Sequence, residues 1–254
     1  MQELVQSVER ALSILETLSE YENGLGITEI SNKVELHKST VHRLLATLIA
    51  KGYVKQNQGN NNYILTMKLF ELGNKKIEKM NIANVSRSYL QSLVNETNEV
   101  VHLVIREGNE IVYISKVESQ NIIRMHSRIG SRKPAYCTAV GKAMLAYLPE
   151  EEVRSIWDSS KIEKITEYTV TDFQQFSKAL KEIKQSGYAR EEQENETGIR
   201  CVAAAIFDYT GEVCGAISIS GSIISYTEEK KEKFAKLVME YALKISRELG
   251  YISY

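Results

Sequence analysis

Apolar residues recur at helical spacing from the start of the chain. Val8, Leu12, Leu15 and Leu18 predict a helix over 5–21 with that stripe inward. Glu22-Asn23-Gly24 predicts its end, with Gly24 as the C-terminal cap. A short helix over 27–34 follows, with Ile30 and Val34 inward and Thr28 placed to help cap it. Glu35-Leu36-His37 is long enough only for a turn. A third helix, 38–51, turns Val41, Leu44, Leu45, Leu48 and Ile49 inward and stops at Gly52. Tyr53 to Gln56 and Tyr63 to Leu65 then flank a polar turn and read as a small hairpin.

Helix, short helix, turn, helix and hairpin make a winged helix-turn-helix. The stripe of the third helix suffices to hold such a fold. It leaves Lys38, Ser39, Thr40, His42, Arg43 and Thr47 on the outside. A second apolar pattern predicts a stiff connecting helix over 76–97, uninterrupted by Pro or Gly. Strands and helices then mix without regular alternation. Hairpins are predicted around 100–105 with 111–114 and around 201–207 with 213–220, and a further strand over 122–129. Helices are predicted over 138–147, over 171–186 with Thr171 as cap, and over 227–249. Such a mixture favours an antiparallel sheet with helices packed on it. The expected class is α+β: a winged helix-turn-helix over 1–75, a linker helix over 76–97 and a sheet-containing domain over 98–254.

Charge sharpens the picture. The net charge is −1, yet between Glu35 and Glu71 there is no acidic residue, while Lys38, Arg43, Lys51, Lys55 and Lys68 lie within that window. A near-neutral total conceals a local positive field. A helix of this size fits the DNA major groove, where Arg43 suits a guanine edge and Lys51 and Lys55 suit phosphates. The competing reading is a protein-binding helical module with a merely hydrated outer face. Three cysteines without CxxC spacing predict no disulfide framework and a reducing, cytoplasmic setting. No apolar run is long enough to span a membrane, and the charged N-terminus does not read as a signal peptide.

Candidate chemistry in the second half is less pointed. Cys137-Thr138-Ala139-Val140-Gly141-Lys142-Ala143 is a strand-to-helix junction whose free N–H groups suit an anion. On the strand Gly215 to Gly221, Ser218 and Ser220 share one face. A cysteine nucleophile (Cys137 or Cys201) with His102 or His126 would make an enzyme, and Cys137, Cys201 and Glu191 could sense thiol chemistry or a metal. GxSxG, HExxH and GxGxxG motifs are absent, so neither a cofactor nor a metal is expected.

Four segments, in order, resemble the isocitrate lyase regulator (IclR) family of bacterial transcription factors: VQSVERALSILETLS, LHKSTVHRLLATLIAKGYV, PAYCTAVGKAMLAYLP and ETGIRCVAAAIFDYTGEVCGAISISG. The resemblance covers nearly the whole chain. It implies a GAF-like C-terminal domain that binds a small effector, and dimers or tetramers on palindromic or pseudo-palindromic operators, a regulator rather than an enzyme. A repressor is the expectation, with activator left open because the sign depends on where the operator lies relative to the promoter. It implies 2-oxo, sugar or aromatic acids as effectors. Carried over by motif, effector contacts fall on Ala139, Val140, Glu191, Cys201, Ser218 and Ser220, with Ile122, Met125 and Ile199 as an apolar wall. Two departures stand out. The loop lacks a glycine that some relatives have before Gly141-Lys142, and Glu191 stands where a shorter aspartate often occurs. A carboxylate facing an acid is repulsive unless one is protonated or meets a hydroxyl, which favours a hydroxylated or keto-bearing effector.

Overall fold

The computed structural model describes residues 5–77, 81–119 and 127–252, which divide into the units Met1–Lys79 and Met80–Tyr254. The first unit runs α1 (Gln6–Ser19), α2 (Ile27–Lys33), α3 (Lys38–Ala50), β1 (Val54–Gln56), β2 (Tyr63–Leu65) and α4 (Lys68–Ile77). Strands β1 and β2 pair antiparallel as the wing. One core joins them: Ile14, Leu15 and Leu18 of α1, Ile30 of α2, Val41, Leu45 and Leu48 of α3, and Val54 and Tyr63 of the wing.

Helix α1 buries Leu15 and Leu18 as expected, but Ile14 joins them in place of Val8 and Leu12, which face outward. Ile49 of α3 is likewise exposed. Gly24 does not cap α1, whose C-cap is Glu20. Its φ is 68°, and a Cβ there would lie 2.3 Å from the Tyr63 carbonyl oxygen. The glycine lets the chain press against β2, where Leu25 and Tyr63 exchange backbone hydrogen bonds of 3.1 and 2.8 Å. At α2 the start is closed by Glu29, whose Oε2 accepts from Gly26 N–H at 2.8 Å, not by Thr28.

The second unit contains α5 (Ile82–Thr97), β3 (Val100–Glu107), β4 (Glu110–Val117), β5 (Arg132–Pro134), α6 (Ala139–Leu145), α7 (Glu150–Ser159), α8 (Phe173–Ser186), β6 (Ala189–Glu192), β7 (Ile199–Phe207), β8 (Val213–Ser222) and α9 (Glu228–Glu248). The helix expected over 76–97 is α5, which starts later, at Ile82; residues 76 and 77 instead end α4, a helix from Lys68 that the apolar pattern did not predict. Asn81 starts the second one, its side-chain oxygen accepting from Ala83 N–H at 2.9 Å. Asp172, not Thr171, caps α8 by accepting from Gln175 N–H at 2.8 Å. The strand expected over 122–129 falls largely outside the described residues, and 127–129 are not in a strand.

The sheet order is β5-β4-β3-β8-β7-β6, with antiparallel neighbours throughout. Both faces are covered. Leu90 and Leu93 of α5 and Phe234, Val238 and Ile245 of α9 pack on Val101, Leu103, Val202, Ile217 and Ile219. Helices α6, α7 and α8 cover the other face, with Trp157 and Phe176 packed near Val104, Ala203 and Ala216. Double coverage explains the continuous apolar run of β7, since neither alternating set of side chains meets water. Each fully buried aromatic such as Phe176 or Phe234 contributes roughly 1.5–3 kcal/mol. Small residues on the α6 side let that helix, buried at every position, approach the sheet closely. No helix among the described residues is long and apolar enough to cross a membrane.

Gly141 fixes α6. A Cβ on it would lie 2.1 Å from the Ala135 carbonyl oxygen and 2.5 Å from the Ala135 Cα, and backbone cannot yield as a flexible side chain can. Gly141→Ala should therefore destabilise the second unit by about 1–3 kcal/mol or more, as a lowered thermal midpoint. An unchanged midpoint would show that α6 is free to shift.

Candidate nucleic-acid face and candidate ligand site

The first site is built by α2, its turn and α3. Glu35 takes a left-handed conformation (φ 53°), and Ser31 ties the turn by donating to the Leu36 carbonyl at 2.5 Å. That turn delivers the N-terminus of α3 to the surface with no acid in its first turn and no side-chain cap. The positive end of the helix dipole is thus left open, which suits a phosphate.

Every charged residue expected on this face is exposed: Lys38, Arg43, Lys51 and Lys55, together with Ser39 and His42, while Thr40 is half-buried. Lys68 is paired with Glu71 at 3.0 Å. Lys38, Arg43, Lys51 and Lys55 have no acidic partner among the described residues, so their charge is unspent. Arg43 also lines a cleft of about 590 Å³ between α1 and α3, with Thr40, Thr47, Ser7 and Arg10. Arg10 is a cation that the pattern reading passed over. It joins the α3 side only because of how α1 packs, a contact that helical spacing does not encode.

The second site lies on the α6 face of the sheet. Strand register sets Glu191 opposite Cys201 and Cys201 opposite Ser220, and in a neighbouring row Ala203 opposite Ser218 and Ser218 opposite His102. The pleat points all five of those polar or thiol side chains to one side. Ser218 and Ser220 are buried, their hydroxyls 3.3 Å apart. His102 Nδ1 is 3.4 Å from each, and its Nε2 is 2.8 Å from Ser127 Oγ. Ala139 and Val140 are buried at the start of α6, where Thr138 Oγ1 accepts from Gly141 N–H at 3.2 Å. The N–H groups of Ala139 and Val140 meet no acceptor among the described residues. Ile199 is half-buried at the start of β7. Ile122 and Met125 lie outside the described residues.

Charge is concentrated beside this row. Glu191 accepts hydrogen bonds from the N–H groups of Glu194 and Asn195, the latter at 3.2 Å, and Glu194 forms a buried ion pair with Lys142 of α6. Glu194 Oε2 and Asn195 Oδ1 are buried without a hydrogen-bond partner among the described residues. Neither Lys142, Glu194 nor Asn195 was legible as part of a site, because each gains its role from the loop after β6 folding onto α6.

The thiols are poorly suited to nucleophilic work. Burial, with Glu191 and Glu194 nearby, pushes the Cys137 thiol up to about 12. Burial, then Glu191, raises Cys201 well above the ordinary thiol value. Burial and the positive Lys116 push His102 down to about 3, so the imidazole is neutral. Its partners are serines, not a cysteine. Among the described residues no three His, Cys, Asp or Glu side chains are grouped to hold a metal.

The profile of the IclR helix-turn-helix domain matches residues 7–58, and that of the bacterial transcriptional regulator IclR C-terminal region matches residues 74–247. The HTH-type transcriptional regulator KdgR of Escherichia coli K12 is 37% identical over 250 residues, covering 98% of this chain and 95% of that protein. The DNA-binding transcriptional repressor YiaJ of the same strain is 35% identical over 249 residues, covering 97% of this chain and 88% of that protein. The crystal structure of the Agobacterium tumefaciens repressor BlcR superimposes with a TM-score of 0.88 at 26% identity, over 99% of this chain and 100% of that one. These relatives are transcriptional regulators, not enzymes.

Glu191 gives the second site a measurable signature. Burial is the largest influence on its carboxyl and pushes it up to about 7, against the downward pull of Lys142 and the Asn195 N–H. An unfolded glutamate releases its proton near 4.5, so the folded chain holds this proton over a wider range. Stability from this group is complete below the unfolded value and is lost as pH rises toward the folded one. Thermal midpoints of the wild type should therefore fall relative to Glu191→Gln between about pH 5 and pH 7, and run parallel above it. Parallel curves throughout would mean that Glu191 is ionised normally.

Proposed function

We propose, from the premise that this chain belongs to the IclR family of bacterial transcriptional regulators, that it is a cytoplasmic, effector-controlled repressor acting on an operator in double-stranded DNA. The observation that carries the DNA half of this reading is the split of α3: Val41, Leu45 and Leu48 are buried while Lys38, Ser39, His42 and Arg43 face solvent without acidic partners. Ser39, Thr40, His42 and Arg43 reach base edges in the major groove. Arg43 is the residue suited to a bidentate guanine contact. Lys38, Lys51, Lys55 and the α3 N-terminus hold phosphates and set register. The repressor sign is supported by two relatives named as repressors.

Operators of this kind are palindromic because their readers are symmetric. A homodimer or homotetramer is supported by apolar surface that the first unit leaves uncovered: Val8, Leu12, Met67 and Phe70 are 55%, 52%, 66% and 62% exposed. The effector half of the reading rests on the buried polar row. Ser218, Ser220, Glu191 and Cys201 face one side of the sheet, beside the open N–H groups of Ala139 and Val140. Buried acceptors without partners, as at Glu194 Oε2 and Asn195 Oδ1, are rare in proteins unless a bound group supplies donors. A small organic acid of the 2-oxo, sugar or aromatic class fits such a mixture of donors and acceptors, with Ile199 as an apolar contact. Such an acid controls DNA affinity only through unequal affinity for the DNA-competent and DNA-incompetent states.

Selection of a random duplex library on the full chain should enrich a sequence with two-fold symmetry. On that duplex, Arg43→Ala should cost about 1–3 kcal/mol in binding and relax preference at one base pair. Lys51→Ala should weaken all sequences evenly and reduce the salt slope by about 1. Fluorescence anisotropy reads both, and an unchanged Arg43→Ala affinity contradicts the assignment. Pyruvate, gluconate and benzoate, as probes of the three acid classes, should include one that raises the thermal midpoint and shifts DNA affinity.

A further inference from the structure

His102 is the buried group that neither the winged helix nor the expected effector contacts account for. It is on β3, next to β8, and it touches both effector-facing serines at once. Nδ1 lies 3.4 Å from Ser218 Oγ and 3.4 Å from Ser220 Oγ. Both distances are at the long end of the hydrogen-bonding range, an arrangement in which one N–H can be shared between two oxygens. The other ring nitrogen meets Ser127 Oγ at 2.8 Å.

Lys116 biases which nitrogen carries the proton. Its ammonium donates to the Ser127 carbonyl oxygen at 3.0 Å and to Glu118 Oε1 at 2.9 Å. The lysine is largely buried while Glu118 is solvent-exposed, so the cation stands on the Nε2 side of the ring with its counter-charge screened by water. A positive charge there favours an unprotonated nitrogen on that side, accepting from the Ser127 hydroxyl, and leaves the proton on Nδ1. Tyr113 packs edge-on at 5.1 Å between ring centroids and fixes the ring plane. The ring is neutral, as burial and Lys116 dictate, so it has one N–H to give.

The geometry points to His102 as a positioning residue of the effector site: its Nδ1–H engages the Ser218 and Ser220 oxygens and leaves both hydroxyl hydrogens to meet an acceptor oxygen of the bound acid. This rests on the reading of the serine row as the effector site. It adds the polarity of that row, which spacing alone leaves open. With the opposite tautomer, one serine hydrogen would be spent on Nδ1 and the site would lose a donor. Without ligand, the serines can bond each other across 3.3 Å, and a carboxylate or keto oxygen replaces that bond.

Isotope-labelled histidine NMR on the full chain, with the His102 signals identified by their loss in His102→Asn, tests the tautomer directly. The expected result is a protonated Nδ1 and a bare Nε2, and a protonated Nε2 overturns the inference. Calorimetry with whichever of pyruvate, gluconate or benzoate stabilises the chain tests the function. An asparagine amide can place an N–H where Nδ1 stands, whereas a glutamine amide reaches the Nε2 position. Binding should stay within about threefold in His102→Asn and weaken about tenfold in His102→Gln and His102→Leu. Equal binding by all three variants overturns the positioning role, and so does equal loss in all three. If none of the acids stabilises the wild type, the acid-site reading fails and the inference with it, a result distinct from loss in the variants alone.

Discussion

A helix can bury only one side in a three-helix core, and that constraint governs the first unit. Val41, Leu45 and Leu48 of α3 are committed to packing against Ile14, Leu18 and Ile30. The cost of turning Arg43 or Lys38 inward instead would be the desolvation of an unpaired charge, which exceeds what any single methylene contributes. The polar side is therefore outward by necessity. What is particular to this chain is that the sequence places no acid from Leu36, just before α3, through the wing. A merely hydrated face usually carries mixed charge, whereas a face of one sign is what a polyanion selects.

The second unit solves the reverse problem. Its sheet is covered on both faces, so polar groups within it must be satisfied internally. On the α5 and α9 face the sheet residues are apolar; the buried hydroxyls of Thr97 and Ser246 donate to the Leu93 and Ala242 carbonyls, and Ser86 Oγ is left without a partner among the described residues. On the α6 face a row of hydroxyl, thiol, imidazole and carboxyl groups sits inside the layer. Most are bonded to one another, through His102, Ser218 and Ser220 and through Glu191 and the loop after β6. The unpaired oxygens of Glu194 and Asn195 remain. A well-packed apolar replacement would often serve stability as well as such a row does. Its retention makes sense where the polar groups meet a ligand, and where the high thiol values of Cys137 and Cys201 make covalent chemistry a poor alternative.

Much of this was legible because the patterns were long. The α3 stripe, the wing hairpin, the β7–β8 hairpin and α9 each repeat their period often enough to fix type and extent. Helix α7 was missed: its apolar residues Val153, Ile156 and Trp157 span barely one turn, though Pro149 and three glutamates mark its start. Strand β5 is three polar-flavoured residues at a sheet edge and has no period to read. On α1 the inward Leu15 and Leu18 were legible, but Ile14 rather than Val8 and Leu12 completes the buried side, a choice that only tertiary contact makes. The buried polar row of the second unit followed the same rule. Ser218 and Ser220 share a face by the period of two, so spacing revealed them. His102 lies 116 residues from Ser218, and only the pairing of β3 with β8 unites them. Arg10 and Lys142 escaped for the same reason.

The most direct measurement concerns the outer face of α3. A photoreactive amino acid placed at His42, in the full chain bound to its selected duplex, should cross-link to DNA on illumination, while the same group at the exposed Glu16 of α1 should not. DNA cross-links from position 42 alone are the expected result. Cross-links from position 42 to protein only, with the duplex still bound, would contradict the assignment of this face to the major groove.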